Sequence, residues 1–382
     1  MSAMGGGSIR LARLFGIRIG ASPSWFVVLL VIIYFLTGYF ADTLGGSDRQ
    51  ALGIALLAAI LFFVSIVLHE LGHARVAQRN GITISGIDLW FFGGVAKLDR
   101  DTTTPGEEFR ISAAGPAVTA AIVVAAGALA AALSSPQEVL DSARFLPVES
   151  TSPLLALVSW LATINFYLLA FNLVPAFPLD GGRIARAIAW RLTGDKHQAT
   201  RIAGRMGLIF AFVLFGLGAY LALTTDPVNG VWFMVLGFFI GQGARGAVLS
   251  SRFLESIEGV AAADLMDPRP VTVPGGSGLA DAQEELERRG WPWSAVVDAD
   301  GRFLGILDAN TDGGAGTVAE AVPAGDRLEF AVGDRTPLED LLRSESLRRL
   351  GALVVVDDGA RLVGVVTLEQ VHRAVAAAAP ER

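Results

Sequence analysis

The stretch Ala51-Leu-Gly-Ile-Ala-Leu-Leu-Ala-Ala-Ile-Leu-Phe-Phe-Val-Ser-Ile-Val-Leu-His69-Glu70-Leu-Gly-His73-Ala74 decides how the chain is read. It is long enough to cross a bilayer, which takes about 20 apolar residues, yet it ends in two imidazoles and a carboxylate. Ionisable groups at membrane depth cost about 2.5–3.5 kcal/mol each on insertion scales, so their presence points to function. On a helix His69 and His73 stand four residues apart on one face and can share a zinc ion. Glu70 can reach a water at that ion as general base. The segment therefore reads as the core of a hydrolase working inside a membrane. A chance match would carry the desolvation cost with nothing in return.

The rest of the chain fits that reading. Its 382 residues are 52% hydrophobic and only 18% charged, with a mean hydropathy of +0.52, which requires several membrane spans. The long uncharged runs lie before about Arg252; beyond it, charged and apolar residues alternate as in a soluble α/β domain. From Glu255 onward the chain carries 23 acidic and 12 basic residues against a net charge of −7 overall, so the tail is acidic and the membrane part net positive. An acidic tail argues against nucleic acid and anionic head groups as its partners. No cleavable signal peptide is expected, because the first apolar run lacks a small-residue cleavage site and further spans come after it. Cysteine is absent, which excludes disulfides, thiolate ligands and a cysteine nucleophile. Of the four histidines, His197 is expected in a loop and His372 in the tail, so a third imidazole ligand has no ready source.

Windows of about 20 residues give six candidate spans: Pro23 to Phe40, Ala51 to Ala74, Ile111 to Leu133, Leu154 to Val174, Ile202 to Leu223 and Val231 to Leu249. Arg10, Arg13 and Arg18 precede the first; Arg75, Arg79, Lys97, Arg100 and Arg110 separate the second and third; Arg183, Arg186, Arg191, Lys196, Arg201 and Arg205 separate the fourth and fifth. The positive-inside rule then makes the N-terminus, these two loops and the tail cytoplasmic, in a multi-pass protein of the plasma or inner membrane. His69 and His73 lie toward the cytoplasmic end of span two.

A catalytic zinc ion takes three protein ligands and keeps an open position. Asp180 is the strongest third candidate, because it comes after span four in Asn172-Leu-Val-Pro-Ala-Phe-Pro-Leu-Asp180-Gly-Gly-Arg183 and so returns to the same side. Pro175 and Pro178 break helical bonding, which predicts Asp180 on extended chain. Asn165 and Asn172, seven apart on one face of span four, can hold a substrate backbone or polarise a carbonyl; the alternative is interhelical hydrogen bonding. Between Gly81 and Leu98, period-two alternation interrupted by Gly93-Gly94 predicts a β-hairpin beside the site; the alternative is an interfacial loop that Trp90, Phe91 and Phe92 anchor at the head groups. Gly115-Pro116, in Ser-Ala-Ala-Gly-Pro-Ala-Val-Thr-Ala, is expected to pack span three against a neighbour and to carry no chemistry.

On His69-Glu70-Leu71-Gly72-His73, Asn172 through Gly182, Gly93-Gly94 and Gly115-Pro116, the chain resembles the site-two protease family of intramembrane zinc metalloproteases. The likeness is to the sporulation-factor type with six spans and a C-terminal pair of cystathionine-beta-synthase (CBS) domains. It implies one Zn2+ held by His69, His73 and Asp180, with Glu70 activating water. It also implies a single-span membrane protein as substrate, such as an anti-sigma factor or membrane-tethered regulator, and a hairpin that presents an edge to it. A transmembrane helix shields its own peptide bonds, so strand addition would replace the bonds lost on unwinding.

The tail divides into halves. Val260 to Val273 leads to Ala295 through Leu307, and Val318 to Val322 leads to Leu353 through Thr367, each reading strand, helix, strand, turn, strand, helix. CBS pairs often bind adenine nucleotides and often associate, which makes a homodimer through the pair an expectation. Asp308 and Thr311 in the first half, and Thr367 and Gln370 in the second, stand where nucleotide binders place Ser or Thr and a ribose aspartate, so neither half has that aspartate and the ligand stays open. The expected architecture is a polytopic α-helical membrane protein with six transmembrane helices plus a soluble α/β tandem CBS domain. Its parts are a protease domain at 1–252 and CBS domains at 253–313 and 314–382. The competing function is a cation transporter or channel with a regulatory CBS tail. Glu70 separates the two, because Glu70→Gln should spare zinc in a protease and weaken cation binding in a transporter.

Overall fold

In the computed structural model every apolar run expected to span the membrane is helical. The structure describes residues 8–90, 93–98, 100–133, 152–311, 316–323 and 329–378. The chain folds into two compact units, Met1–Val248 and Leu249–Arg382. The first opens with strands β1 (Ile9–Leu14) and β2 (Ile17–Ala21), helices α1 (Pro23–Leu44) and α2 (Asp48–Arg79), and strands β3 (Ile84–Trp90) and β4 (Gly93–Leu98). Helices α3 (Pro105–Leu133), α4 (Pro153–Asn172), α5 (Asp180–Thr193), α6 (Lys196–Thr224) and α7 (Pro227–Ile257) come next. All of these helices but α5 are long and apolar enough to cross a bilayer.

Sequence chemistry sets the helix ends. Pro23 starts α1 where its missing N–H costs nothing, and Gly45 ends it in the left-handed region. The Ser47, Ser152 and Asp195 side chains accept from the first-turn amides of α2, α4 and α6. Ala51, Ala55, Ala58 and Ala59 form a stripe of small residues on α2, which lets Leu36 and Phe40 of α1 and Ala156, Leu157 and Trp160 of α4 pack closely against it. Outward-facing Leu30, Tyr34 and Phe35 of α1 are exposed, as lipid-facing side chains are.

Four strands form one sheet in the order β1-β2-β3-β4. The hairpin expected between Gly81 and Leu98 is β3 and β4, antiparallel, with Trp90 opposite Gly93 and Leu89 opposite Gly94; Phe91 and Phe92 lie outside the described residues. The N-terminal hairpin β1-β2 is not anticipated by the sequence, where its arginines read only as topology markers. β2 joins β3 in parallel, Ile19 opposite Ile87, and Arg18 bonds Asp88 across the pair at 2.8 Å. Ile17, Ile82, Ile84 and Ile87 share a core with Leu71, Ala74 and Ala77 of α2 and Ile111 of α3. That core seats the sheet on the histidine-bearing end of α2.

Two further expectations need correction. Asp180 does not lie on extended chain but is the first residue of α5. The two prolines do interrupt the helix, with a cis Phe177-Pro178 bond, yet a carboxylate in a first turn favours helix initiation and the chain re-enters one at once. His197 is not in a loop; α6 begins at Lys196, because Asp195 caps it.

The second unit contains two sheets of the same design. β5 (Thr272–Pro274), β6 (Trp293–Val297) and β7 (Phe303–Asp308) form one, and β8 (Ala331–Gly333), β9 (Ala352–Val356) and β10 (Leu362–Thr367) the other. In each, the first strand is parallel and the third antiparallel to the middle one. Helices α8 (Ala262–Leu265), α9 (Leu279–Arg289), α10 (Val318–Ala321), α11 (Leu338–Arg343), α12 (Glu345–Leu350) and α13 (Leu368–Ala378) complete it. The halves share a core of Ala295, Phe303, Ile306, Phe330, Ala352 and Val354.

Candidate metal centre

His69 and His73 fall on one face of α2, and the re-entry of the chain at α5 brings the Asp180 carboxylate to them. His69 Nε2 is 3.0 Å and His73 Nε2 3.2 Å from Asp180 Oδ2, and the two Nε2 atoms are 3.2 Å apart. Ligand atoms on a tetrahedral zinc ion, with bonds of about 2.0–2.1 Å, lie roughly 3.3 Å from one another. The triangle has the size of a metal's ligand shell.

Hydrogen bonding on the far side of each ring fixes what these atoms offer. The Ile111 carbonyl can only accept, so His73 Nδ1, at 2.6 Å, donates to it. Thr119 Oγ1 donates to Gly115 O and accepts from His69 Nδ1 at 2.8 Å. Both neutral rings then present an unprotonated Nε2 beside a carboxylate oxygen, three lone-pair bearers aimed at one point. Such an arrangement is stabilised by a cation among them, and two imidazoles with one carboxylate are a zinc donor set. Among the described residues this is the one cluster of its kind.

Helix α3 has a role here that its sequence did not suggest. A Cβ on Gly115 would lie 2.2 Å from His73 Nε2 and 2.7 Å from His69 Nε2, so the small-residue patch makes room for the imidazoles as well as for a helix. Ile111, Gly115 and Thr119 recur every fourth residue, the spacing of one helical face. That spacing is the one signal in the sequence that could have found Thr119. Glu70 lies beside the cluster and β4 closes over it: a Cβ on Gly94 would lie 2.5 Å from Glu70 Cγ.

Asn165 is fully buried, its Nδ2 donating to Leu161 O at 2.9 Å within α4 and its Oδ1 without a protein partner. Asn172 is the last residue of α4, half-buried. Outside the spans, Lys196 Nζ lies 2.9 Å from Asp101 Oδ2; burial would raise the Asp101 carboxyl, but this ammonium outweighs it and holds the carboxyl at about 2. In the second unit Thr367 and Gln370 cap α13, Thr367 N–H donating to Gln370 Oε1 at 2.7 Å. The Asp308 carboxylate accepts from the Asn310 amide at 2.8 Å.

Residues 57–214 match the model of peptidase family M50. Protein Rip3 of Mycobacterium tuberculosis is 32% identical over 386 residues, covering 96% of this chain and 92% of its own. The zinc metalloprotease MJ0392 of Methanocaldococcus jannaschii is 30% identical, with 96% of each chain covered. The chain belongs to peptidase family M50. As an M50 member it is a multi-pass membrane zinc metalloprotease, and zinc is its metal. Residues 262–310 and 329–377 match the CBS domain, so this M50 chain also carries a CBS pair. Among solved structures, the site-2 protease from Methanocaldococcus jannaschii is 31% identical with a TM-score of 0.40, covering 63% of this chain and 95% of that one.

Proposed function

We propose that this protein is an intramembrane protease in which His69, His73 and Asp180 hold the zinc ion and Glu70 is the general base, acting on the transmembrane segment of single-span proteins. The observation that carries the reading is the convergence of three acceptor atoms from α2 and α5 within 3.2 Å, each imidazole held from behind by α3. Bound zinc supplies Lewis acidity and makes water nucleophilic at neutral pH. With zinc bound, the Glu70 carboxylate would take a proton from the attacking water and pass it to the amine released when the scissile C–N bond breaks. Thr119 and the Ile111 carbonyl keep the rings in the tautomer that ligates.

The substrate helix has to unwind before its carbonyl can be reached, and the β3-β4 hairpin at Gly93 and Gly94 offers backbone groups to the freed strand. Asn172 and Asn165 are the amides proposed to orient it. Membrane-tethered regulators and anti-sigma factors have the required single span. The basic loops favour a site opening toward the cytoplasm, with the CBS tail on the same side. Residues 1–252 form the protease domain in this reading, and 253–313 and 314–382 the CBS pair.

The test is zinc content of purified wild type against His73→Ala and Asp180→Ala, beside cleavage of a single-span reporter. Each variant is expected to lose stoichiometric zinc and cleavage together. Retention of both by Asp180→Ala would remove that residue from the site. Gly94→Ala should leave zinc in place yet slow cleavage by about 10–100-fold, because Glu70 must yield to the new methyl group. A wild-type rate in that variant would show that Glu70 needs no fixed seat.

A further inference from the structure

Helix α5 carries one of the three ligand atoms, and it packs through small residues, with Gly181 so close to the preceding loop that a Cβ there would lie 2.3 Å from Val174 O. Its buried residues are Gly181, Gly182 and Ala187, none of which has a side chain able to interlock, while Ile188 and Leu192 are exposed. The chain enters it through a loop with two prolines. A ligand carboxylate nevertheless has to be kept within about 0.5 Å of its working position.

Arg186 meets that need. Its Nε donates to Glu108 Oε1 at 2.6 Å, and its Nη2 reaches the same oxygen. Both side chains are largely withdrawn from solvent, Glu108 to 1% and Arg186 to 12% exposure. The guanidinium also lies 5.7 Å from the Phe177 ring centroid, in the loop that delivers Asp180. On α3, Glu108 belongs to the buried stripe that continues through Ser112 and Gly115 to Thr119. One ion pair thus ties the helix of the third ligand to the helix that orients the other two. Buried ion pairs add little net stability over well-packed apolar residues, so this one is better explained by the geometry it fixes.

We propose that Arg186 and Glu108 are positioning residues that set the distance between Asp180 and the imidazoles, and hence the affinity and geometry of the metal site. This rests on the ligand reading above. The test is Co2+ titration of the full-length detergent-solubilised protein, monitored by visible d–d absorption, which reports coordination geometry. Arg186→Ala and Glu108→Gln are each expected to raise the Co2+ dissociation constant by about 10–100-fold and to alter the d–d bands. The double variant is expected to be no weaker than the worse single one, because the two act as a unit.

Wild-type affinity and bands in Glu108→Gln, or effects that simply add in the double variant, would overturn the proposal. So would a Glu108→Gln protein that no longer folds, since the pair would then hold the fold and not the site. Asp180→Ala, run in parallel, separates the two ideas. Wild-type Co2+ binding in that variant defeats the ligand assignment itself; lost binding there with unchanged pair variants defeats only the positioning role.

Discussion

Glu70→Gln protein is expected to purify with zinc at the wild-type level and to cleave a single-span reporter about 10²–10⁴-fold more slowly. The substitution keeps the shape of the side chain, so its packing against Gly94 survives. It removes only the ability to take a proton. Zinc should stay because the ligand cluster comprises His69, His73 and Asp180 without Glu70. Two results would sink this. Cleavage at the wild-type rate would strip Glu70 of its catalytic role, and loss of zinc in step with activity would make it a ligand, as in a cation-transport site.

The second large effect concerns a residue with no side chain. Gly115→Ala is expected to abolish cleavage and to weaken zinc binding by at least about 10–100-fold, the cost typical of disturbing a ligand's supporting shell. An alanine Cβ there would stand 2.2 Å from His73 Nε2 and 2.6 Å from its Cε1, where carbon contacts need roughly 3.5 Å. The rings cannot simply retreat, because their Nδ1 atoms are bonded to Ile111 and Thr119 of the same helix. Gly127→Ala is the matched control, since it lies on α3 with open space where its Cβ would go. It should keep zinc and activity and stabilise the helix by about 0.5–1 kcal/mol. Zinc content and reporter cleavage of the two variants, side by side, decide the matter; a zinc-loaded, active Gly115→Ala would refute the steric argument.

These predictions mark how far the sequence could be read. The spans were legible because twenty apolar residues in a row have few other uses, whereas their ends were not, since the helices run on through polar residues, as α7 does to Ile257, or start at a cap, as α6 does at Lys196. His69, His73 and Asp180 were legible as charges in an apolar setting, and topology was enough to bring Asp180 to the right side. Gly115 was not, because its contribution is a missing side chain, and a stripe of small residues reads the same whether it faces a helix or an imidazole. Thr119 and the Ile111 carbonyl are partners made only by tertiary packing. The helix at Asp180 was hidden behind two prolines, which announce an interruption without revealing that a new helix starts beyond them. The hairpin β1-β2 leaves no clear signal in the sequence, because its few alternating residues also carry the arginines that mark orientation.

The parallel pairing of β2 with β3 has a consequence for biogenesis. These strands flank the first two spans, so the hydrogen bonds from Ile19 and Gly20 to the Ile87–Asp88 region form only after α1 and α2 have both been threaded and the chain has come back to its starting side. A polypeptide with one of these spans misthreaded would leave the two strands on opposite sides of the bilayer, where β2 and β3 cannot pair, so the sheet is compatible only with the arrangement in which both spans cross.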